Sequence, residues 1–356
     1  MATHRFHAAD DAALNALYED IADKDLQPLW ELSGLLTPTP NVRAVPHRWL
    51  GKELRELGER AGELVPVDRG GDRRVLSLSN PGLGGAPYAT ATLWGAVQYL
   101  GPGETAPAHR HTPAALRFVL DGEGVWTAVD GDPLHMSAGD LILTPSWTWH
   151  EHHNPGDLPM TWFDALDLPL VEALDAVFFE PGDGRAAPSA NAGLSASERR
   201  FGGGPGLLPG GTSAPAPAHS PLLRYRWADT DRALTGRLGE PGSEAARTGH
   251  AHVRFADPTS GRDVMPTMRC EMHRYLPGHT APAERRTGSA LIAVFRGAGA
   301  VELDGVVESL APGDLIAVPS WTSVRIRADE PLQLFSVSDA PVLEALGLYR
   351  TEAGAG

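Results

Sequence analysis

The sequence predicts an all-β chain made of two related domains behind a helical segment, and three observations predict it. Gly (40) and Pro (31) together make 71 of 356 residues, about 20% against roughly 12% in average proteins. Both residues interrupt helices, so a mostly helical fold is excluded. From residue 73 to 180, short β-branched or aromatic runs alternate with turn clusters such as NPGLGG, LGPGE, VDGD and SAGD, the pattern of a sandwich or barrel. Finally, the chain repeats itself. YLGPGETAPAHRHT (99–112) returns as YLPGHTAPAERRT (275–287), and AGDLILTPSWTW (138–149) as PGDLIAVPSWTS (312–323), at offsets of 175 and then 174 residues. Two matched segments at nearly one offset mark a duplicated domain.

The elements follow in chain order. Leu14, Leu17, Tyr18 and Ile21 stand at helical spacing behind Asp10 and Asp11, which predicts a helix over 10–22 with an acidic first turn. Beyond it helical signals are few. The expected organisation is a helical and arm segment over 1–72, a first β domain over 73–182, a linker over 183–221 and a second β domain over 222–356. The linker assignment rests on composition, since 183–221 is rich in Gly, Pro, Ala and Ser and has no period. At 42% apolar residues, the chain has enough to fill two sizeable cores.

Charge and composition exclude several functions. Asp and Glu number 45 against 30 Lys and Arg, a net charge of -15, so the basic surface that nucleic acid binding needs is missing. Lys24 and Lys52 are the only lysines, which leaves any anion site to arginine. The single Cys270 forms no intramolecular disulfide, and the start MATHRFHAADDAALNAL has neither the basic segment nor the apolar run of a signal peptide. No stretch approaches about 18 apolar residues, so no membrane span is expected. A soluble cytoplasmic protein is the expectation.

Histidine carries the chemistry. Six of the 14 histidines fall between 109 and 153. His109 and His111 are two apart, so on a strand both imidazoles point to one face and reach one ion. His150 and His152 repeat that spacing after PSWTW, with Glu151 and His153 on the opposite face. Neutral imidazoles converging inside a barrel suit iron, zinc, copper or nickel. One isolated His-x-His would more often be an ordinary surface or core pair. Here the first sits in GETAPAHRHT, six residues after Gly103, and the second cluster follows GDLILTPSWTW with Gly139, Pro145 and Asn154 around it. These positions resemble the two motifs of the cupin superfamily.

Two departures make the resemblance more specific. Ala115 stands where a cupin usually has a Glu ligand, and Trp147 where a Gly is common. With RRVLSLSNPGLGG (73–85), residues 93–132, DLPMTWFDALDLPLV (157–171), SPLLRYRWADTDRAL (220–234) and FSVSDAPVLEALGLYR (335–350), the chain resembles the gentisate 1,2-dioxygenase family along nearly its whole length. That group of bicupins also cleaves salicylate and 1-hydroxy-2-naphthoate. The resemblance implies two jelly-roll β-barrels and one Fe(II) per subunit held by His109, His111 and His150. It implies ring opening of a small aromatic ortho-hydroxy acid with dioxygen, and a homo-oligomer, a tetramer in this family. A three-His site leaves the full +2 charge on the ion, which favours an anionic chelating substrate.

Other site residues come from strand parity and family likeness. Arg117, an even number of residues from His111, is expected on the inner face, where a guanidinium grips a carboxylate. His152 shares the face of His150 and is expected to hydrogen-bond substrate or oxygen. Trp94, Ala96 and Gln98 lie on one face of LWGAVQYL, where the family places pocket-wall residues. A buried Gln98 amide needs partners that packing does not supply. Arg73 matches a family arginine near the substrate, with Arg74 as its rival. Asp164 matches a pocket acid that takes a ring-hydroxyl proton or holds Arg117.

The second domain departs from the first at the ligand positions. Glu284, Arg286 and Val324 stand where the first has His109, His111 and His150. Arg cannot ligate a cation, so no metal is expected there. A cupin isomerase would keep the carboxylate that Ala115 replaces, and a ligand-sensing regulator would carry a basic DNA-binding segment. The expected activity is the one the resemblance implies, a ring-cleaving dioxygenase.

Overall fold

A computed structural model describes residues 11–66, 74–182, 193–203, 207–210 and 217–353. It divides into two compact units, residues 1–41 and 42–356. In the first, Ala12–Ala22 is a helix. Asp11 is its N-cap, accepting from the Ala13 and Leu14 amides at 3.0 Å. The expected acidic first turn is thus a cap, because an Asp carboxylate at that position satisfies the helix's open N–H groups directly. The buried Tyr18 donates to Glu31 at 2.5 Å.

The second unit holds the duplication. Two barrels each pair a six-stranded sheet with a five-stranded one. The first barrel's large sheet runs, in spatial order, Arg224–Tyr225, Leu141–Thr144, Ala115–Asp121, Met160–Leu166, Trp94–Leu100 and Val75–Ser77. Facing it are Phe179–Pro181, Thr105–His111, His150–His153, Glu123–Val129 and Asp132–Ser137. The second barrel repeats this order, with His47–Trp49 at the edge of its large sheet beside Leu315–Val318. All pairings between these strands are antiparallel. Among the described residues no helix is long and apolar enough to cross a membrane.

Alternation along the central strands assigns two cores. On Ala115–Asp121, Val119 belongs to the interior of the first barrel with Leu100, Ile142 and Trp162. Leu116 and Phe118 point the other way, into a cluster shared with the second barrel. There Phe118 stacks on Phe335 at 4.2 Å and 5°. These sheets are buried on both faces, which is why their strands read as nearly unbroken apolar runs.

Each barrel completes the other's edge. The repeated Gly-Asp turn explains how. Asp140, 2% exposed, accepts from Arg224 at 2.7 Å and from the Trp227 amide at 2.8 Å. Its counterpart Asp314 accepts from Arg48 at 3.3 Å and the Gly51 amide at 2.8 Å. A second pair, Asp167 with Thr267 at 2.5 Å and Asp339 with Thr92 at 2.6 Å, crosses between barrels in both directions. Burial raises the carboxyl of Asp140 above its ordinary range even though Arg224 pulls it down. Replacing Asp140 with Ala is expected to strand the buried guanidinium of Arg224, lowering stability in urea unfolding by about 3 kcal/mol. Glu198, 3.7 Å from Arg224, remains as a partial partner and limits the loss.

Helices are more frequent than the composition suggests. Gly51–Leu64 and Trp227–Gly239 are helices of 14 and 13 residues. Gly51, Leu54 and Gly58 form the buried stripe of the first; two of the three are glycines, which a search for apolar periodicity passes over. Within the segment expected as a linker, Ala196–Phe201 is a short helix. Ser195 and Glu198 close a capping box at 3.1 and 2.9 Å, and Asp132 of the first barrel accepts from the Ala196 and Ser197 amides. A helix of six residues is too short to show a period, but Ser-x-x-Glu was its signal.

Candidate metal centre

His109 and His111 close the strand Thr105–His111, and His150 opens His150–His153. The two strands pair with His109 opposite His150. Strict alternation would place Ala106 and His109 on opposite faces. A bulge between them resets the parity, so both face the barrel interior. Ligand nitrogens of His109, His111 and His150 lie within 4.8 Å of one another, the one such group of three among the described residues.

Each imidazole is oriented by a backbone carbonyl. Nδ1 of His109 donates to Pro107 at 3.0 Å, that of His111 to Pro113 at 2.7 Å and that of His150 to Thr148 at 3.0 Å. An Nδ1 proton spent on a carbonyl leaves Nε2 with the lone pair, the tautomer a metal requires. Nε2 of His150 is buried without a hydrogen-bond partner, a costly state unless an ion completes it. Burial, the Arg117 charge and the two neighbouring imidazoles push the His150 pKa well down, so it stays neutral. The residues therefore fit a bound metal.

Trp147 has φ of +62°, the left-handed region that favours glycine. That is the physical reason a Gly suits the position. Its amide donates to the His111 carbonyl at 2.8 Å, so the turn holds the ligand strand in place. Arg110 lies 4.4 Å over the Trp147 ring and 4.7 Å over Trp149, and pairs with Glu180 at 2.6 Å. On this side the Phe179 ring is 5.7 Å from His109; sequence reading missed it, because Phe179 reaches the site from a later strand that pairs opposite His111.

Across the barrel, Arg117 and Asp164 are register partners on neighbouring strands, both buried. Arg117 Nε lies 3.4 Å from Asp164 Oδ1, and its Nη1 donates to Thr144. Counting residues from His111 to Arg117 crosses the turn at 112–114, and parity has meaning only within one strand. Alternation with Ala115 and Val119 is what turns Arg117 inward. Asp164 accepts from the Trp162 indole at 3.2 Å on both oxygens. Burial raises the Asp164 pKa to about 6, against the downward pull of Arg117 and Trp162.

His152 is fully enclosed, and burial with the nearby Arg117 pushes its pKa well down. Its Nδ1 meets Thr127 Oγ1 at 2.8 Å. Glu151 and His153 are on the opposite face, where His153 stacks on Trp126 at 3.9 Å. Trp94, Ala96 and Gln98 share the inner face of their strand, level with Leu166, Asp164 and Trp162. Gln98 is a buried residue, and no side-chain hydrogen bond engages its amide among the described residues. Arg73 lies outside the described residues. Its rival Arg74 is committed elsewhere: it pairs with Glu104 and donates to the Gly62 carbonyl at 3.0 Å. Thr127, Thr144 and Trp162 were missed as partners, although Trp162 stands two residues before Asp164, on the same strand face.

In the second barrel Glu284, Arg286 and Val324 line a cavity with His250, His252, His273 and His279. The sequence comparison overlooked these four histidines because they do not align with the first barrel's ligands. His250-Ala-His252 is itself a His-x-His.

Two barrels, one with three convergent imidazoles, define a bicupin with a candidate metal centre. A family profile described as Cupin domain matches residues 96–166 and 271–338. Gentisate 1,2-dioxygenase from Streptomyces sp is 50% identical over 347 residues, covering 96% of each chain. 5-aminosalicylate 1,2-dioxygenase from Comamonas sp is 34% identical, covering 96% of this chain and 90% of that one. The structure of salicylate 1,2-dioxygenase from Pseudoaminobacter salicylatoxidans, with gentisate adducts, matches with a TM-score of 0.93 at 45% identity, covering 99% of this chain and 96% of that one. The chain belongs to this family of ring-cleaving 1,2-dioxygenases.

Proposed function

We propose that the protein opens gentisate between its carboxyl-bearing carbon and the adjacent hydroxyl-bearing carbon, giving maleylpyruvate. The observation that carries this reading is the buried guanidinium of Arg117 in the same barrel as three oriented imidazoles. His109, His111 and His150 would hold a ferrous ion, one per chain. When bound, that ion supplies the electron transfer by which dioxygen and the aromatic ring react. The family likeness also supports a homo-oligomeric, cytoplasmic enzyme.

The chain's own residues bind and orient the acid. Arg117 takes the substrate carboxylate in a charge-assisted pair, which is worth most where water is excluded. Asp164 and Thr144 hold the guanidinium in place. His152, with Nδ1 spent on Thr127, presents Nε2 to the substrate. Gln98 offers its unspent amide to a ring substituent, and Trp94 and Ala96 shape the wall beside it. Arg73 remains a candidate contact to the acid by the family resemblance.

The test is a substrate panel on protein loaded anaerobically with ferrous ion, exposed to oxygen and followed by absorbance. Gentisate is expected to turn over with the highest kcat/KM among gentisate, salicylate, 5-aminosalicylate and 1-hydroxy-2-naphthoate. A higher value for another acid would move the assignment to that acid, and turnover of none would overturn it.

A further inference from the structure

The second barrel keeps the backbone of the metal half-site and changes its charge carrier. The Trp321 amide donates to the Arg286 carbonyl at 2.8 Å, as Trp147 does to His111, and Trp321 has φ of +66° against +62° for Trp147. A guanidinium thus stands on the same turn that carries a ligand imidazole in the first barrel. It opens on a cavity of about 400 Å³, large enough for a small organic molecule. Arg286 has no ion pair within 4 Å among the described residues, the buried Asp339 carboxylate feeling its charge from farther away; its neighbour Arg285 turns away toward Asp304.

The rest of the cavity has a clear chemical division. Ile292, Val318, Val324, Ile326 and Leu334 make an apolar wall. Tyr275 and His250 stack at 4.2 Å and 8° to make a flat one. A short polar chain runs along the side: His250 Nε2 meets His273 Nδ1 at 3.1 Å, and His273 Nε2 meets Ser336 Oγ at 3.4 Å. His250 and His273 thus spend their facing nitrogens on one another, which argues against an ion between the two, while His279 turns its Nδ1 to the Thr248 carbonyl at 2.6 Å and leaves its buried Nε2 without a hydrogen bond among the described residues. Ile292 and Ser336 occupy the places of Arg117 and Asp164, so no second fixed charge accompanies Arg286 on that wall. Glu244, Glu284 and Arg237 also line the cavity but are exposed at its mouth, where solvent screens them.

We propose that the second barrel is a separate binding site for a small planar monocarboxylate, with Arg286 taking the carboxylate and the aliphatic and Tyr275–His250 walls taking its apolar body. One unpaired guanidinium matches one negative charge. A planar fork that binds a carboxylate through two hydrogen bonds makes arginine suited to the role.

Benzoate, titrated into the metal-loaded full chain without oxygen, tests this by calorimetry. The expected result is a binding event that Arg286→Met weakens by at least about 30-fold while kcat and metal content stay at wild-type values. Ile292→Trp, which fills the cavity from the opposite wall, should remove the same event and so controls for misfolding of the first variant. Acetate should bind this site less tightly than benzoate. Isotherms unchanged in both variants would overturn the proposal, as would equal affinity for acetate, or a second metal ion per chain lost on replacing His250 and His273. The readout is separable from the catalytic assignment, because a failure in the substrate panel leaves the Arg286-dependent event untouched.

Discussion

Replacing His150 with Ala is expected to abolish metal binding and ring cleavage together, with activity falling on the order of 10³-fold or more. Two imidazoles on one strand hold an ion poorly without the third from the neighbouring strand, and His150 is the buried member of the set. Its Nε2 has no hydrogen-bond partner among the described residues, so the side chain is arranged for an ion and not for the fold. Wild-type protein should gain about 2.7 kcal/mol when free metal stands at 100 times its dissociation constant. The variant should gain nothing. Metal analysis and thermal melts with and without ferrous ion check both halves. A variant that retained one ion per chain and full activity would sink the site assignment.

Arg117→Met is expected to raise the KM for the aromatic acid by at least about 30-fold, the effect of losing about 2 kcal/mol from a buried charged contact, with metal content retained. Methionine keeps the length of the stem and removes only the charge. Without the guanidinium that lowers it, the Asp164 carboxyl rises further and takes up a proton, which spares the fold a stranded anion. The wild-type pair also predicts an acid limb. Asp164 titrates near pH 6; above that pH it is ionised and orients Arg117, and below it the pair is lost, so kcat/KM should fall as pH drops through about 6. The stability sign is opposite: a carboxyl raised in the folded state binds protons there more readily than in the unfolded chain. Stability linked to Asp164 therefore declines as pH rises from its ordinary value toward 6. Asp164→Asn should abolish that limb. An unchanged KM in Arg117→Met would remove its role.

Much of the candidate site was legible because it is local. His109 and His111 carry their common direction in a two-residue spacing, and His150 and His152 do the same, so strand geometry alone places each pair on one face. The repeated Gly-Asp and Pro-Ser-Trp-Thr segments likewise showed the duplication without any tertiary information. Other features left no local trace. The bulge before His109 and the level of Arg117 against Asp164 depend on register between strands more than 40 residues apart in sequence. The helix Gly51–Leu64 packs by close approach, since at Gly62 a Cβ would come within 2.5 Å of the Tyr99 ring.

Turn residues, alternation and short spacings act over a few residues, so they suffice to show a duplicated β protein with metal-type histidines in one copy. Long-range packing decided that each barrel takes an edge strand from outside its own run, secured by Asp140 and Asp314. It also decided that the second copy, without the ligand set, encloses a cavity around Arg286. Both outcomes arise from long-range pairing, in which a buried carboxylate or guanidinium must find its partner wherever the chain returns, and that partner's position is not written in its neighbours.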